Sequence, residues 1–321
     1  VLCFIEEPEL FLHPWLQRVF LEVLASKFPK HQYFLTTHSN HFLDMTLDVD
    51  DVSVFTLEKL LDDSAGKEKP ARFTVRTASR EDRKPLELLG VRNSSVLFSN
   101  CTIWVEGITD RRYLAHWLRL HDDNRFAERK ESERARGAFR EDLHYSFVEY
   151  GGGNITHFSF LDEDEGESGI NVDRLCARLF LITDQDGAAP STAKGLRHEK
   201  LRTRLGLRYC CLPGREIENL IAPENLLRVL KSYGEDVDAL TAPTHKKYLN
   251  KPLGRFIEEM LSNGDQKKIR KASYHQESGT ISDKVGFCKR AIEAMTSWDE
   301  LSDEARELTK KVFNFIKESN S

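Results

Sequence analysis

The sequence predicts an α/β protein that gives way to a helical C-terminal region, and three observations carry that expectation. Short apolar runs suited to buried strands alternate with longer amphipathic segments, the pattern of a parallel sheet with crossover helices. Two of the runs, in "VLCFIEEPE" and "LFLITDQDG", stop abruptly at clustered carboxylates. After Pro223 the strand signals cease and the pattern turns mostly helical.

Composition narrows the classes. A chain of 321 residues with 40% hydrophobic content is long enough for two domains and for a real core. The net charge of -5 carries no global basic signature, so any nucleic-acid contact has to come from local patches. Cysteines at 3, 101, 176, 210, 211 and 288 form no C-x-x-C pair, which points to a reducing, cytoplasmic setting where free cysteines pack as small hydrophobes. There is no 18-residue apolar span, signal peptide or lipidation motif, so no membrane association is expected. The chain opens at Val1 directly in a strand-like run, from which we expect it to belong to a longer protein.

Residues 1–97 alternate strand and helix: "VLCFI", "PWLQRVFLEVLASKF", "QYFLTT", "HFLDMT" and "VSVFTLEKL". The polar stretch "DDSAGKEKPAR" reads as a hairpin loop before a further strand, "FTVRTA", and "SREDRKPLELLGVRNSSVLFSN" as a connector. His13 and His41 are read as structural.

Residues 98–222 form a second α/β segment, with strands expected at 101–105, 146–150, 178–183 and 207–212. The mixed-charge run "RFAERKESERARGAFRED" reads as a solvated helix or insertion. Leu179, Phe180, Leu181 and Ile182 form a continuous apolar run, typical of a mid-sheet strand covered on both faces. If the chain stays extended, Asp184 and Asp186 project to the same side, roughly 7 Å apart. Anions that close raise each other's pKa unless a cation lies between them. An acidic surface turn is the plainer alternative. "CTIWVEGITDRRYLAHWL" repeats the logic: a strand ends in Glu106, Gly107 allows a tight turn, and a helix follows with Tyr113, Leu114, Trp117 and Leu118 on one face. Asp110 falls in its first turn, where capping alone explains an acid. Ligands collect beyond the carboxyl ends of parallel strands, and Glu106, Asp184 and Asp186 all sit at such ends. Carboxylates with few histidines nearby suit Mg²⁺ or Mn²⁺ rather than zinc. A glycine turn, "VEYGGGN", lets backbone approach the same rim.

Residues 223–321 are expected to be a helical region completing the second half, with lysine clusters at 245–251 and 267–271 that suit a phosphate backbone.

Glu106-Gly107-x-Thr109-Asp110, the turn at Gly151 to Asn154 and Asp184-x-Asp186-Gly187 together resemble the Toprim domain, a Rossmann-like fold of topoisomerases, primases and certain nucleases. The opening "VLCFIEEPELFLHPWLQRVF" is similar to the Walker B strand and D-loop of ABC-type ATPases, and "QYFLTTHSNHFLD" to their switch-histidine segment. This order of parts resembles the OLD (overcoming lysogenization defect) family and Gabija-type anti-phage effectors. The resemblance implies the C-terminal half of an ABC-type ATPase over 1–97, with Glu6 orienting Mg²⁺, Glu7 polarising the attacking water and His38 sensing the γ-phosphate. The family more often has aspartate where Glu6 stands. The G-x-x-x-x-G-K-[ST] phosphate cradle is absent from the sequence and is expected upstream.

For residues 98–222 the resemblance implies two divalent ions held by Glu106, Asp110, Asp184 and Asp186. A downstream acid joins them, drawn from Glu216 and Glu218 at the start of the next helix, with Glu216 favoured and only one needing to point inward. It also implies a charge-stabilising lysine, best matched by Lys284 in "ISDKVGFCKRAIEAM", whose buried face is read as Val285, Cys288, Ile292 and Met295. Glu106, Asp184, Lys284 and Glu7 are thus the expected catalytic groups. The implied activity is a two-metal endonuclease on DNA, governed by ATP at the ATPase half, which is expected to oligomerise and to meet a partner protein of a defence system. An RNA or tRNA nuclease and a non-catalytic ATPase sensor or scaffold are the alternatives.

Overall fold

Parallel pairing dominates the sheets, as the alternating sequence pattern predicts. The computed structural model describes residues 1–28, 30–39, 42, 52–60, 72–78, 100–130, 133, 137–151, 158–159, 170–171, 178–187, 191–238, 240–262, 269, 271 and 273–321. The chain divides into two compact units, Val1–Phe98 with Glu141–Leu143, and Ser99–Arg140 with His144–Ser321. Cys176, His41, the 61–71 loop, Gly152 to Asn154 and nearly all of the connector lie outside the described residues.

In the first unit, β1 (Leu2–Glu6), α1 (Pro14–Lys27) and β2 (Gln32–Thr36) form a β-α-β crossover. The two strands run parallel, in register from Leu2 opposite Gln32 to Glu6 opposite Thr36. Pro14 opens α1 at a position whose N–H needs no intrahelical partner. His13 caps that helix, its Nδ1 accepting from the Trp15 N–H at 3.3 Å, in keeping with a structural role. Next, β3 (Val54–Leu60) and β4 (Arg72–Ala78) pair antiparallel, as the hairpin reading requires.

The second unit is built on β5 (Thr102–Val105), α2 (Ile108–Arg125), β6 (Ser146–Glu149), β7 (Phe158–Ser159), β8 (Ile170–Asn171), β9 (Leu179–Thr183), α3 (Ala193–Leu205) and β10 (Tyr209–Cys211). A four-stranded parallel sheet has the order β10-β9-β5-β6, and the two-residue strands β7 and β8 form a separate parallel pair. Both central strands, β5 and β9, are buried along their whole length, which is why their sequences are unbroken apolar runs rather than alternating ones. Tyr113, Leu114, Trp117 and Leu118 of α2 all turn into the core. Burial of such large side chains contributes about 1.5–3 kcal/mol each.

The helical region then adds α4 (Pro223–Ser232), α5 (Leu253–Ser262), α6 (Lys284–Ala294) and α7 (Asp303–Ser319). Helix α6 packs on α4 and α2, and α7 packs on α2. One hydrophobic core therefore runs from Ile103 and Phe180 in the sheet to Phe287, Val312 and Ile316 in the helices. Ser302 joins the parts: its hydroxyl donates to the Leu220 carbonyl at 2.6 Å and caps α7 by accepting from the Ala305 N–H at 3.1 Å.

The buried face of α6 differs from the sequence expectation. Cys288 and Met295 are buried as expected, but Val285 is 44% exposed and Ile292 only partly buried; the residues turned inward along the helix are Phe287, Cys288 and Ala291. With Lys284 these follow i, i+3, i+4, i+7 spacing, so the helix is rotated to carry its first lysine on the packed side. Among the described residues no helix is long and apolar enough to cross a membrane.

Candidate functional site

The sheet order fixes where a ligand belongs. From β5 the chain goes to β6 on one side and later returns to β9 on the other, so the topological switch lies between β5 and β9. Glu106 follows the end of β5, and Asp184 follows the end of β9. The neighbouring tips are tied to these two, with the Gly151 N–H donating to the Glu106 carbonyl at 2.9 Å and the Leu212 N–H to the Thr183 carbonyl at 2.9 Å.

Beyond β9 the chain does not stay extended, so the expected same-side projection of Asp184 and Asp186 does not arise. Asp186 takes a left-handed φ of 48° and Gly187 one of 67°. The Asp186 N–H donates to the Arg215 carbonyl at 3.0 Å, which holds the turn. Glycine suits that position for its backbone, since the one atom a Cβ would meet is the mobile tip of Arg215, Nη1 at 3.0 Å. Asp184 is buried, whereas Asp186 is half-buried and ion-paired with Lys194 at the start of α3.

Gly107 is different. Its φ of -155° is open to any residue, and an added Cβ would meet nothing closer than Asp110 Oδ2 at 3.9 Å, so the tight-turn expectation is not met. Its N–H donates to that same Oδ2 at 2.8 Å. Asp110 therefore does cap α2, and it also faces the other acids.

Glu218 lies in a 3₁₀ turn, Ile217–Leu220, rather than an α-helix, and Glu216 caps it. Both are buried, at 4% and 0% exposure, although only one needed to point inward. Glu216 precedes the turn with extended backbone, which removes the helical offset that would have separated the two. Asn219 fixes this turn: its Oδ1 accepts from the Glu216 N–H at 3.1 Å, and its Nδ2 donates to the carbonyls of Tyr248 and Lys251 at 2.6 and 2.9 Å. Neither carboxylate oxygen of Glu218 has a hydrogen-bond partner among the described residues.

These acids feel one another. Burial raises the Glu106 pKa, with Asp186 and Glu216 adding to it and Lys194 and Lys284 opposing. Burial, Glu218 and Glu106 likewise raise Asp110, against the Gly107 N–H and Lys284. Asp184 is raised well above the ordinary range by burial, Asp110, Glu106 and Glu218. Glu218 is raised by burial, Glu216 and Glu106, and lowered by Lys284 and by the nearness of its own backbone N–H. Burial by itself lowers the pKa of Lys284, yet Glu218, Glu216, Asp184 and Asp110 together raise it, and its Nζ stands 3.5 Å from Glu216 Oε2. The fold thus brings Glu106, Asp110, Asp184, Asp186, Glu216, Glu218 and Lys284 into one neighbourhood. Among the described residues no three His, Cys, Asp or Glu side chains are already arranged to hold a metal ion.

Sequence reasoning missed Lys194, Arg215, Asn219 and Tyr150. The Tyr150 hydroxyl donates to the Ile182 carbonyl at 2.9 Å, and burial, then Glu106, Asp110 and Asp184, raise its pKa. Lys194 had a signal, since it opens a basic helix after the D-x-D-G turn. The other three had none, because most of the groups they meet lie about 30 residues away in the sequence.

The basic segment at 245–251 leaves Lys246, Lys247 and Lys251 exposed beside the turn that Asn219 anchors. The 267–271 cluster lies mostly outside the described residues. Lys271 itself packs over the rings of Tyr233 and Tyr274, at 4.5 and 5.1 Å, and burial lowers its pKa. A lysine folded onto rings in this way is not a free backbone grip.

In the first unit, His38 Nε2 stands 3.5 Å from Glu7 Oε1 just past the ends of β1 and β2. Glu7 holds a left-handed φ of 41°, an uncommon and costly conformation for a non-glycine residue. Glu9 supports the pair, with its Oε1 accepting from the Thr37 hydroxyl and the His38 N–H, both at 2.7 Å. Glu6, the last residue of β1, is exposed.

Residues 2–44 match the family described as "AAA domain, putative AbiEii toxin, Type IV TA system". That stretch is AAA-type ATPase-like, an architecture associated with nucleotide binding. No curated protein matches the chain.

Proposed function

We propose that the second unit is a Toprim-type, metal-dependent endonuclease that cuts DNA, and that the AAA-like segment regulates it with ATP in an anti-phage role of the OLD-family kind. The observation that carries this reading is Glu218, fully buried with neither carboxylate oxygen hydrogen-bonded among the described residues, inside a group of six acids in which Lys284 faces four and Lys194 pairs with Asp186. Leaving such a group without a partner costs about 1–3 kcal/mol or more, a cost that a ligand can remove. An all-oxygen donor set suits a hard divalent cation. Glu106, Asp110, Asp184, Asp186, Glu216 and Glu218 are the residues that would hold two such ions.

Bound divalent ions supply Lewis acidity and a more acidic water for phosphodiester hydrolysis. The protein's own residues prepare the rest. The Gly107 N–H fixes one oxygen of Asp110, leaving the other to face the acids. Lys284, held on the packed face of α6, places a fixed positive charge where a pentavalent phosphorane gathers negative charge. Asn219 locks the backbone that carries Glu216 and Glu218, so the two do not have to be ordered during the reaction. In the first unit Glu7 and His38 are the groups suited to a γ-phosphate and its attacking water, with Glu6 beside them for Mg²⁺.

The test is nicking of supercoiled plasmid in Mg²⁺ or Mn²⁺ by the wild type and by D184N, with a structured RNA in parallel. Loss of nicking in D184N and in EDTA is expected. Equal nicking by wild type and D184N sinks the proposal.

A further inference from the structure

We propose that the exposed basic ridge of α3 is the track on which the backbone of duplex DNA lies as it enters the acid site, an inference that rests on the nuclease reading above. Residues 193–208, "AKGLRHEKLRTRLGLR", carry Lys194, Arg197, Lys200, Arg202, Arg204 and Arg208 against the single acid Glu199, a local charge of +5 in a chain whose net charge is -5.

The placement of these charges is ordered. His198, Leu201 and Leu205 form the buried face of α3. Lys194 heads that face at i, i+4, i+7 and i+11 spacing, while Arg197, Lys200 and Arg204 follow one another at three- or four-residue steps and share a stripe beside it, about 10 Å long at the rise of an α-helix. Arg197 and Lys200 are exposed. Glu199 lies off the stripe and is paired with Arg202 at 2.8 Å, so the one acid does not interrupt it.

An ordinary solvated helix mixes its signs. Helix α7 does so, with Asp303, Glu304, Glu307 and Glu318 balanced by Arg306, Lys310, Lys311 and Lys317. Helix α3 does not, and in the turn before its stripe Lys194 is paired with Asp186. A line of cations leading from a cluster of acids matches a polyanion whose scissile phosphate is drawn to metal at the acids while its flanking phosphates need cations. Because backbone contacts carry no sequence information, the ridge supplies affinity and direction rather than base preference.

The experiment measures binding of a labelled DNA duplex to the full chain in EDTA, so that binding is read apart from cutting, across about 50 to about 200 mM salt. Each lost phosphate contact flattens the log-log salt slope by about 0.9, so R197Q/K200Q/R204Q is expected to flatten it by about 2.7 and to weaken low-salt binding by tenfold or more. The charge-preserving R197K/K200R/R204K keeps the wild-type slope. Hydrolysis of bis(p-nitrophenyl) phosphate, too small to reach the ridge, stays unchanged in both variants, which also reports that they are folded. Wild-type slope and affinity in the glutamine variant overturn the inference. A wild type that binds through the ridge but never cuts supports the ridge and removes the nuclease reading instead.

Discussion

Lys284 Nζ stands 3.5 Å from Glu216 Oε2 while also facing Glu218, Asp184 and Asp110, so one ammonium serves four carboxyl groups. At 3.5 Å this is an ion pair without a close hydrogen bond. The site is therefore held together by charge more than by fitted contacts, and it should respond strongly to pH and to cations.

The pH response follows from the sign of the shifts. Glu106, Asp110, Asp184 and Glu218 are all raised, burial being the first cause in each, so the folded protein holds their protons more tightly than the unfolded chain does. Stability without metal is thus fullest below the unfolded carboxyl pKa of about 4 and falls as pH rises through the folded values. Mg²⁺ or Mn²⁺ should raise the Tm more at pH 8 than at pH 6, because binding must displace those protons. A metal-induced Tm shift independent of pH would contradict this account.

Glu218 offers a separation of stability from function. Replacing Glu218 by Met removes two unpartnered buried oxygens at similar volume. Chemical denaturation in EDTA at pH 8 should show E218M at least as stable as wild type, with a gain of about 1–3 kcal/mol, while plasmid nicking drops by about a hundredfold. Clear destabilisation would mean that the glutamate has a structural partner.

Glu9 should control order around His38. Its carboxylate accepts from the Thr37 hydroxyl and the His38 N–H, both at 2.7 Å. E9A forfeits charge-assisted bonds worth about 1.5–3 kcal/mol, so amide exchange at His38 and Ser39 should speed up at least tenfold. Unchanged exchange would show that the segment is held by other means.

His121 predicts an acid-sensitive joint in the helical core. Its ring lies 4.8 Å from that of Trp298 and 4.6 Å from that of Phe313, and burial, then Arg125 and Lys310, lower its pKa to about 4. The folded state prefers the neutral ring, so its contribution is present above the unfolded pKa of about 6.5 and is lost as pH falls from there to about 4. H121F should show a flatter loss of stability over that window. A wild-type slope in the variant would assign the acid response elsewhere.

Core substitutions offer a calibration. Trp117 is fully buried on α2, and W117A should cost about 3–5 kcal/mol in equilibrium unfolding. A cost under 1 kcal/mol would contradict a single core shared by sheet and helices.

The sequence by itself determined the strands and helices whose signals are local. The apolar runs before Glu106 and Asp184, the amphipathic face of Tyr113 and Trp117, and the proline that opens α1 each depend on neighbours within a few residues. The acids at the strand ends were legible for the same reason: a buried run that stops at a carboxylate is visible in one dimension. Tertiary structure decided which of them meet. Only the strand order β10-β9-β5-β6 sets Glu106 beside Asp184, and only the rotation of α6 turns Lys284 inward and Val285 out. The 3₁₀ turn beside which Glu216 and Glu218 are both buried, and the left-handed turn at Asp186, arise because Asn219 and the Arg215 carbonyl reach across the fold to hold them. Hydrogen bonds and charge act through space, and a linear pattern records only the groups that are able to make them.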